Sequence, residues 1–325
     1  MSRIFMKVVV NPASAGGKTR EQWPMIAGVA EGLGITLDPV FTEGPGHATE
    51  LTREALRAGH QTIVVVGGDG SVHEVVNGFF ESDRPLNPSA ALGMIARGTG
   101  CDFIRTLNMP KSVGQALQAL RDGPEHVIDL CRCDYIRHDG SSGRRYFANV
   151  GGVGIGGATV ERVNQTSKRF GGWFSFMAGA LLTLLTYEGK EVEIVLDGNR
   201  TLSGRYHGVI VANGRYFGGG MKIAPDAALD DGLLNVILLG DLTRSEVFSN
   251  FLRIYRGTHG SHPKVQLLTA REVTVKTDDA TCLLDLDGEQ PGRADACFTV
   301  VPNAIKVISP LPARSRADSH GATET

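Results

Sequence analysis

Asp69 stands among glycines in the run Gly67-Gly68-Asp69-Gly70-Ser71, directly after the apolar residues 63–66. Glycines at the end of a buried strand let phosphate oxygens approach backbone N–H groups, and a following helix adds its positive end. A carboxylate inside that turn would repel a bare phosphate, but it fits if a divalent cation stands between the two. The run is neither the GxxxxGK[ST] phosphate loop nor the GxGxxG dinucleotide fingerprint. Two more glycine turns follow strand-like runs in the same half, NPASAGGK after residues 7–10 and ARGTGCDF after residues 91–95. Asn11 could bond a base or ribose, and Lys18 or Arg97 could face phosphate. Each motif also has a plainer reading. GGDGS alone is a tight turn with Asp69 as a helix cap, LDLDGE an acidic hairpin turn, and DDGLLNV a turn before a strand.

These residues need a frame to bring them together. Over the first ~130 residues, strand-like runs at 7–10, 37–41, 63–66, 91–95 and 126–130 alternate with helical patterns at 21–33, 44–59, 72–80 and 113–121. That rhythm predicts a parallel sheet covered by helices, with the three glycine turns at the carboxyl ends of its strands. From Cys133 onward strands dominate, and Asp197-Gly198-Asn199 is a hairpin signal between two of them. This composition predicts an antiparallel sandwich. Helical patterns near 157–168, 173–187 and 243–255 interrupt it. The stretch WFSFMAGALLTLLTY is the most apolar, but its length falls short of the ~20 residues a spanning helix needs. It reads as a buried helix or one flanking an apolar cleft.

The bulk composition narrows the classes. With 33 basic and 35 acidic residues the net charge is −2, so no basic excess points to nucleic acid. Five cysteines without a CxxC pair read as reduced thiols of a cytosolic protein. The start MSRIFMKVVVNP reads as a strand, not a signal peptide, and the polar tail from Ala313 as disordered.

The runs NPASAGGK, VVVGGDGSVHEVVNG, LGMIARGTGCDFIRTL, DGLLNVILL and LDLDGE, in that order and spacing, resemble the diacylglycerol kinase catalytic-domain family. That family includes bacterial soluble lipid kinases and the sphingosine and ceramide kinases. The resemblance spans residues 7–310. It implies an α/β plus all-β protein: a Rossmann-like parallel nucleotide domain followed by an antiparallel β-sandwich domain, with the active site in the interdomain cleft. The expected domains are residues 1–132, joined by about 306–315, then 133–305 for the lipid substrate, and a tail at 316–325. The implied activity is ATP- and Mg²⁺-dependent transfer of the γ-phosphoryl group to a lipid alcohol, with diacylglycerol as the leading acceptor. Alternatives are a sphingoid-base or ceramide kinase, an NAD kinase, and a catalytically silent nucleotide- or lipid-binding regulator. Cytoplasmic placement, transient membrane-surface contact, a homodimer and no nucleic-acid partner complete the expectation.

The resemblance also assigns roles. Gly67, Gly68, Gly70 and Ser71 match the nucleotide loop, with Glu74 of EVVNG placed beside them, and Gly98 and Thr99 match the second phosphate loop. Asp69, Asp102 and Asp129 look like an acidic network around Mg²⁺, with Arg105 bridging carboxylates. Asp287 matches a general base, assisted by Asp69, and Glu289 a neighbour of nucleotide and metal. Asp231, with backbone carbonyls of Ala228 and Leu233, resembles a structural Mg²⁺ site. Three positions depart from the family pattern. Cys101 replaces an asparagine, Arg97 stands where a small apolar residue is usual, and His73 follows GGDGSV where many bacterial members have Asn. Arg97 is expected to reach phosphate or to pair with Asp102.

Overall fold

The computed structural model describes residues 4–98, 100–166, 179, 182–183 and 185–310. The chain divides into two compact units. The first comprises Met1–Leu130, Ala228–Gly232 and Pro302–Thr325; the second comprises Cys131–Ala227 and Leu233–Val301. The 173–187 helix expected from the apolar run falls mostly outside the described residues.

The first unit alternates β1 (Ile4–Val10), α1 (Lys18–Gly32), β2 (Ile35–Phe41), α2 (His47–Arg57), β3 (Thr62–Gly67) and α3 (Asp69–Gly78). A short hairpin of β4 (Phe80–Glu81) and β5 (Arg84–Pro85) leads to β6 (Ala91–Ala96), α4 (Asp102–Thr106), α5 (Val113–Asp122) and the start of β7 (Glu125–Arg137). Strands β2, β1, β3 and β6 pair in parallel in that order. The closing residues of the last strand, β16 (Gly292–Ile308), pair in parallel with β6 at Lys306 and Val307. Val64, Val65 and Val66 are essentially solvent-free, as continuous β-branched runs are in a sheet covered on both faces. Helix α2 buries Ala48, Thr52, Ala55 and Leu56, one stripe at 3.6-residue spacing, and packs on α3. A Cβ on Gly78 would lie 2.5 Å from the Thr52 Cβ, so the glycine of EVVNG lets these two helices close.

The sheet order has a consequence for function. From β1 the chain goes to β2 on one side and then to β3 on the other. The gap between β1 and β3 is therefore a topological switch point, where ligands of open parallel sheets bind beyond the strands' carboxyl ends. NPASAGGK leaves β1 and GGDGS leaves β3 at this point.

The second unit is antiparallel. β7 pairs with β8 (Ser142–Phe147). β9 (Val150–Gly154) precedes α6 (Ile155–Thr166), and β10 (Lys190–Leu196) turns into β11 (Arg200–Ala212) at the Asp197-Gly198 hairpin. Asp197 and Gly198 both take positive φ in the three-residue connection 197–199, beside which Leu196 pairs with Arg200. β12 (Leu234–Gly240), α7 (Arg244–Arg256), β13 (Val265–Ala270), β14 (Glu272–Lys276) and β15 (Leu284–Leu286) follow. Strands pair in the order β13-β12-β11-β10-β14-β16, while β9 pairs with β11 and β15. Phe147, Ile194, Val211, Val236, Leu284 and Phe298 belong to one sealed core. α7 buries Val247 and Ile254 in a second apolar cluster with Ile210, Ile237 and Val265.

Candidate active site

Helix α3 begins at Asp69, three residues earlier than the periodicity suggests, so Asp69, Gly70 and Ser71 form its first turn. Its N-cap is Gly68, and no side chain caps it. The first N–H groups of a helix have no partner within the helix, so this start presents donors and a positive dipole end to an anion. Asn11 at the end of β1 donates from Nδ2 to the Ser71 hydroxyl at 2.9 Å, tying the two turns together across the switch point. A Cβ on Gly67 would lie 2.4 Å from the Ser71 Oγ. The third turn closes on the second. The Arg97 N–H donates to the Gly67 carbonyl at 2.7 Å, and a Cβ on Gly98 would sit 2.7 Å from the Gly68 Cα. The glycines at 68 and 98 thus serve backbone-to-backbone approach, and Gly67 leaves room for the Ser71 side chain. Thr99, expected beside them, lies outside the described residues.

Asp69 is a cap for another helix. Its Oδ1 accepts from the Asp102 N–H at 2.9 Å and the Phe103 N–H at 3.4 Å, the first turn of α4. Asp69 and Asp102 flank Gly100. Their Oδ2 atoms lie 2.9 and 3.7 Å from the point a Cβ on that glycine would occupy. Arg105 pairs with the nearly solvent-free Asp102 at 3.6 Å. Arg97 makes no ion pair with Asp102 among the described residues: its Nη1 donates to the Ala96 carbonyl, and its buried Nε has no hydrogen-bond partner among them. Cys101, between these groups, is left-handed at φ 51°. Burial, with Asp69 and Asp102 adding to it, pushes its thiol up to about 11. The left-handed backbone supplies a physical reason for the family's asparagine at this position, since asparagine tolerates that region best after glycine.

Two assignments change with the structure. Glu74, placed with the nucleotide, instead caps α2: its two carboxylate oxygens accept from the Gly46 and Ala48 N–H groups at 2.8 and 3.0 Å. Asp129, placed with Mg²⁺, is buried and braces backbone. Its Oδ2 accepts from Gly232 at 2.7 Å, its Oδ1 from Asn303 at 2.7 Å, and its own N–H donates to Leu229. Asp129 therefore holds the Ala228–Gly232 turn in the first unit. Asp231, Ala228 and Leu233, expected around a structural Mg²⁺, lie in or beside that turn. Among the described residues no group of three or more His, Cys, Asp or Glu side chains gathers to hold a metal ion. Lys18 opens α1 behind the left-handed Gly16 and Gly17 and is exposed.

In the second unit, Asp287 is left-handed at φ 51° and turns its carboxylate onto the chain after β8. Its Oδ2 accepts from Ala148 at 3.1 Å and its Oδ1 from Asn149 and Val150 at 3.2 and 2.9 Å. With three backbone donors on two oxygens, Asp287 is an anchor. Glu289 in the same turn is exposed, and its carboxylate accepts no hydrogen bond among the described residues. Two neighbours carry no role in the sequence reading. The carboxyl of Asp285 is pushed up to about 7 by burial, with Asp287 and Glu289 adding to the rise. Asn149 is buried, donates to the Tyr216 carbonyl at 2.7 Å, and leaves its Oδ1 without a partner among the described residues. Its backbone carbonyl accepts from Asn213 and Gly214. The spacing of Asp285 two residues before Asp287 is visible in LDLDGE; its raised proton affinity is not.

Open helix starts and paired carboxylates at the carboxyl ends of parallel strands place the chain among phosphate-handling α/β proteins. The profile described as "Diacylglycerol kinase catalytic domain" matches residues 6–133, and "YegS C-terminal NAD kinase beta sandwich-like domain" matches residues 150–309. The chain belongs to the diacylglycerol kinase catalytic-domain family, a family of lipid kinases. It is 28% identical to a protein named diacylglycerol kinase from Staphylococcus carnosus, over 94% of each chain. It is 27% identical to one from Staphylococcus aureus, over 94% of this chain and 92% of that one. The fold matches the crystal structure of a diacylglycerol kinase from Bacillus anthracis with a TM-score of 0.73 at 22% identity, covering 94% of this chain and 97% of that one. It also matches yeast NADH kinase with a TM-score of 0.52 at 10% identity, covering 99% and 90%. Kinase membership implies ATP as the phosphoryl donor.

Proposed function

We propose that this protein transfers the γ-phosphoryl group of ATP to the hydroxyl of a lipid alcohol, with diacylglycerol as acceptor and phosphatidic acid as product. The observation that carries this reading is the start of α3, which no side chain caps and where Gly68 and Gly98 meet within van der Waals reach at the switch point. Phosphate oxygens fit there because no side chain competes for the helix N–H groups. The Arg97 Nε, unpartnered among the described residues, and the exposed Lys18 add cationic groups on the flanking turns. Asn11, held by Ser71, offers its fixed amide to the ribose or base.

The donor set around Gly100 suits Mg²⁺, which takes one or two carboxylates and completes its shell with phosphate oxygens and water. Asp69 and Asp102 would hold it, and it would supply positive charge against the phosphates of the nucleotide. Arg105 orients Asp102 through their ion pair, and Asp69 fixes the ARGTGCDF turn through the α4 amides. Phosphoryl transfer depends on such alignment more than on covalent chemistry. The proton of the acceptor hydroxyl is assigned to the exposed Glu289, because Asp287 already accepts from three backbone N–H groups.

The test is label transfer from ATP, with Mg²⁺, to a panel of diacylglycerol, sphingosine, ceramide and NAD. Label on diacylglycerol is expected. Glu289→Gln is expected to lower kcat by about 10²–10⁴-fold with the unfolding midpoint unchanged, whereas Asp287→Asn lowers the midpoint as well. Label on NAD alone, or full activity in Glu289→Gln, would overturn the assignment.

A further inference from the structure

Helix α7 has two apolar faces and needs only one to cover its sheet. Val247, Asn250 and Ile254 are buried. Beside them runs a second stripe at 248, 251, 252 and 255, the i, i+3, i+4, i+7 spacing of one helix face. Phe248 is 56% exposed, Leu252 57% and Tyr255 38%, and Phe251 is half-buried with its ring edge-on to Tyr255 at 5.5 Å. The remaining surface of the helix is basic. Arg244, Arg253 and Arg256 are exposed, and the single acid, Glu246, is held by Lys264 at 2.8 Å and by its own N-cap. Leu267 on β13, against which Gly260 packs just beyond the helix, is also 43% exposed.

From this we infer that α7 docks the protein on an anionic bilayer surface. Phe248, Phe251, Leu252 and Tyr255 enter between headgroups, and Arg244, Arg253 and Arg256 contact lipid phosphates. Its 13 residues are too few to span a bilayer, and an aromatic face rimmed by arginines is the pattern of a helix lying in the interface. Charge complementarity favours an anionic surface, since the one carboxylate on the helix is already neutralised. The choice of a bilayer over a protein partner rests on the lipid-acceptor reading above, because such an acceptor must be collected from a membrane.

The experiment is co-sedimentation of the full chain, without nucleotide, with vesicles of phosphatidylcholine alone or mixed with phosphatidylglycerol. The wild type is expected to partition roughly tenfold better onto the anionic vesicles, with the preference lost at high salt. Phe248→Ser with Leu252→Ser is expected to weaken binding by at least about tenfold. Arg253→Gln with Arg256→Gln weakens it about fivefold per arginine removed. Because these side chains are exposed, both variants keep the unfolding midpoint, and both phosphorylate diacylglycerol in detergent micelles at the wild-type rate. Wild-type binding without anionic preference, or unchanged binding by the variants, overturns the proposal. So does a dimer-to-monomer change on Phe248→Ser with Leu252→Ser at unchanged vesicle binding, which would make this face a contact between two copies. Failure of micelle phosphorylation by the wild type would instead strike the kinase reading, leaving the sedimentation result to stand by itself.

Discussion

Helices α3 and α7 begin in opposite ways. At α7 the Thr243 hydroxyl accepts from the Glu246 N–H, and the Glu246 carboxylate accepts from the Thr243 N–H, a complete capping box. At α3 the N-cap is a glycine and no side chain closes the turn. A capped start satisfies its own donors and is stable by itself; an open start leaves them for a ligand. The carboxylate in the first turn of α3, Asp69, caps α4 instead. The contrast locates where local stability has been given up, and it is at the switch point of the parallel sheet.

Three substitutions break or sharpen that contrast. Gly98→Ala should have the largest effect. Its methyl would press on the Gly68 Cα, a backbone atom that cannot step aside. The two turns would part by a fraction of an ångström, and kcat/KM for ATP should fall by about 100-fold. Steady-state kinetics against ATP at saturating lipid measures this; a variant with wild-type kinetics would show that the glycine contact does not shape the nucleotide site. Asp285→Asn comes next and concerns stability. The folded carboxyl holds its proton up to about pH 7, whereas the unfolded one releases it near 3.8. Between those values the folded state binds more protons, so the wild type loses stability as pH rises through that window. Asparagine can still accept from Gly288 and carries no charge to bury. It should raise stability on the order of 2 kcal/mol at pH 8 and leave it nearly unchanged at pH 4. Urea unfolding at both values decides it, and an equal shift at each would mean that the proton is not involved. The smallest effect is expected for Thr243→Ala, which removes the α7 cap and should cost about 1 kcal/mol without altering turnover in micelles. Chemical unfolding and the micelle assay together check this.

Much of the architecture was legible because it follows from short-range pattern. The valines before GGDGS, the 3.6-residue stripe of α2 and the Asp197-Gly198 turn each specify their element from neighbouring residues. The periodicity starts α3 three residues late because glycine and aspartate argue against a helix interior, while in the structure they occupy its first turn. Site residues were recognisable as types, but less so as roles. Glu74 and Asp129 look like ligands of nucleotide and metal by their setting in a motif. Each carboxylate in fact serves backbone N–H groups that the sequence places far away, at Gly46 and Ala48 for one and at Gly232 and Asn303 for the other.

The sequence by itself determined the two kinds of unit, the glycine turns at strand ends and the acids within them, since strand and helix periods and the conformational freedom of glycine are local properties. Only the tertiary structure decided which acids stay open and which are consumed. A carboxylate's hydrogen-bond partners come from whichever backbone folds against it, and that is why Asp287 became an anchor, Glu289 remained exposed and Asp285 kept a raised proton affinity within a single short turn.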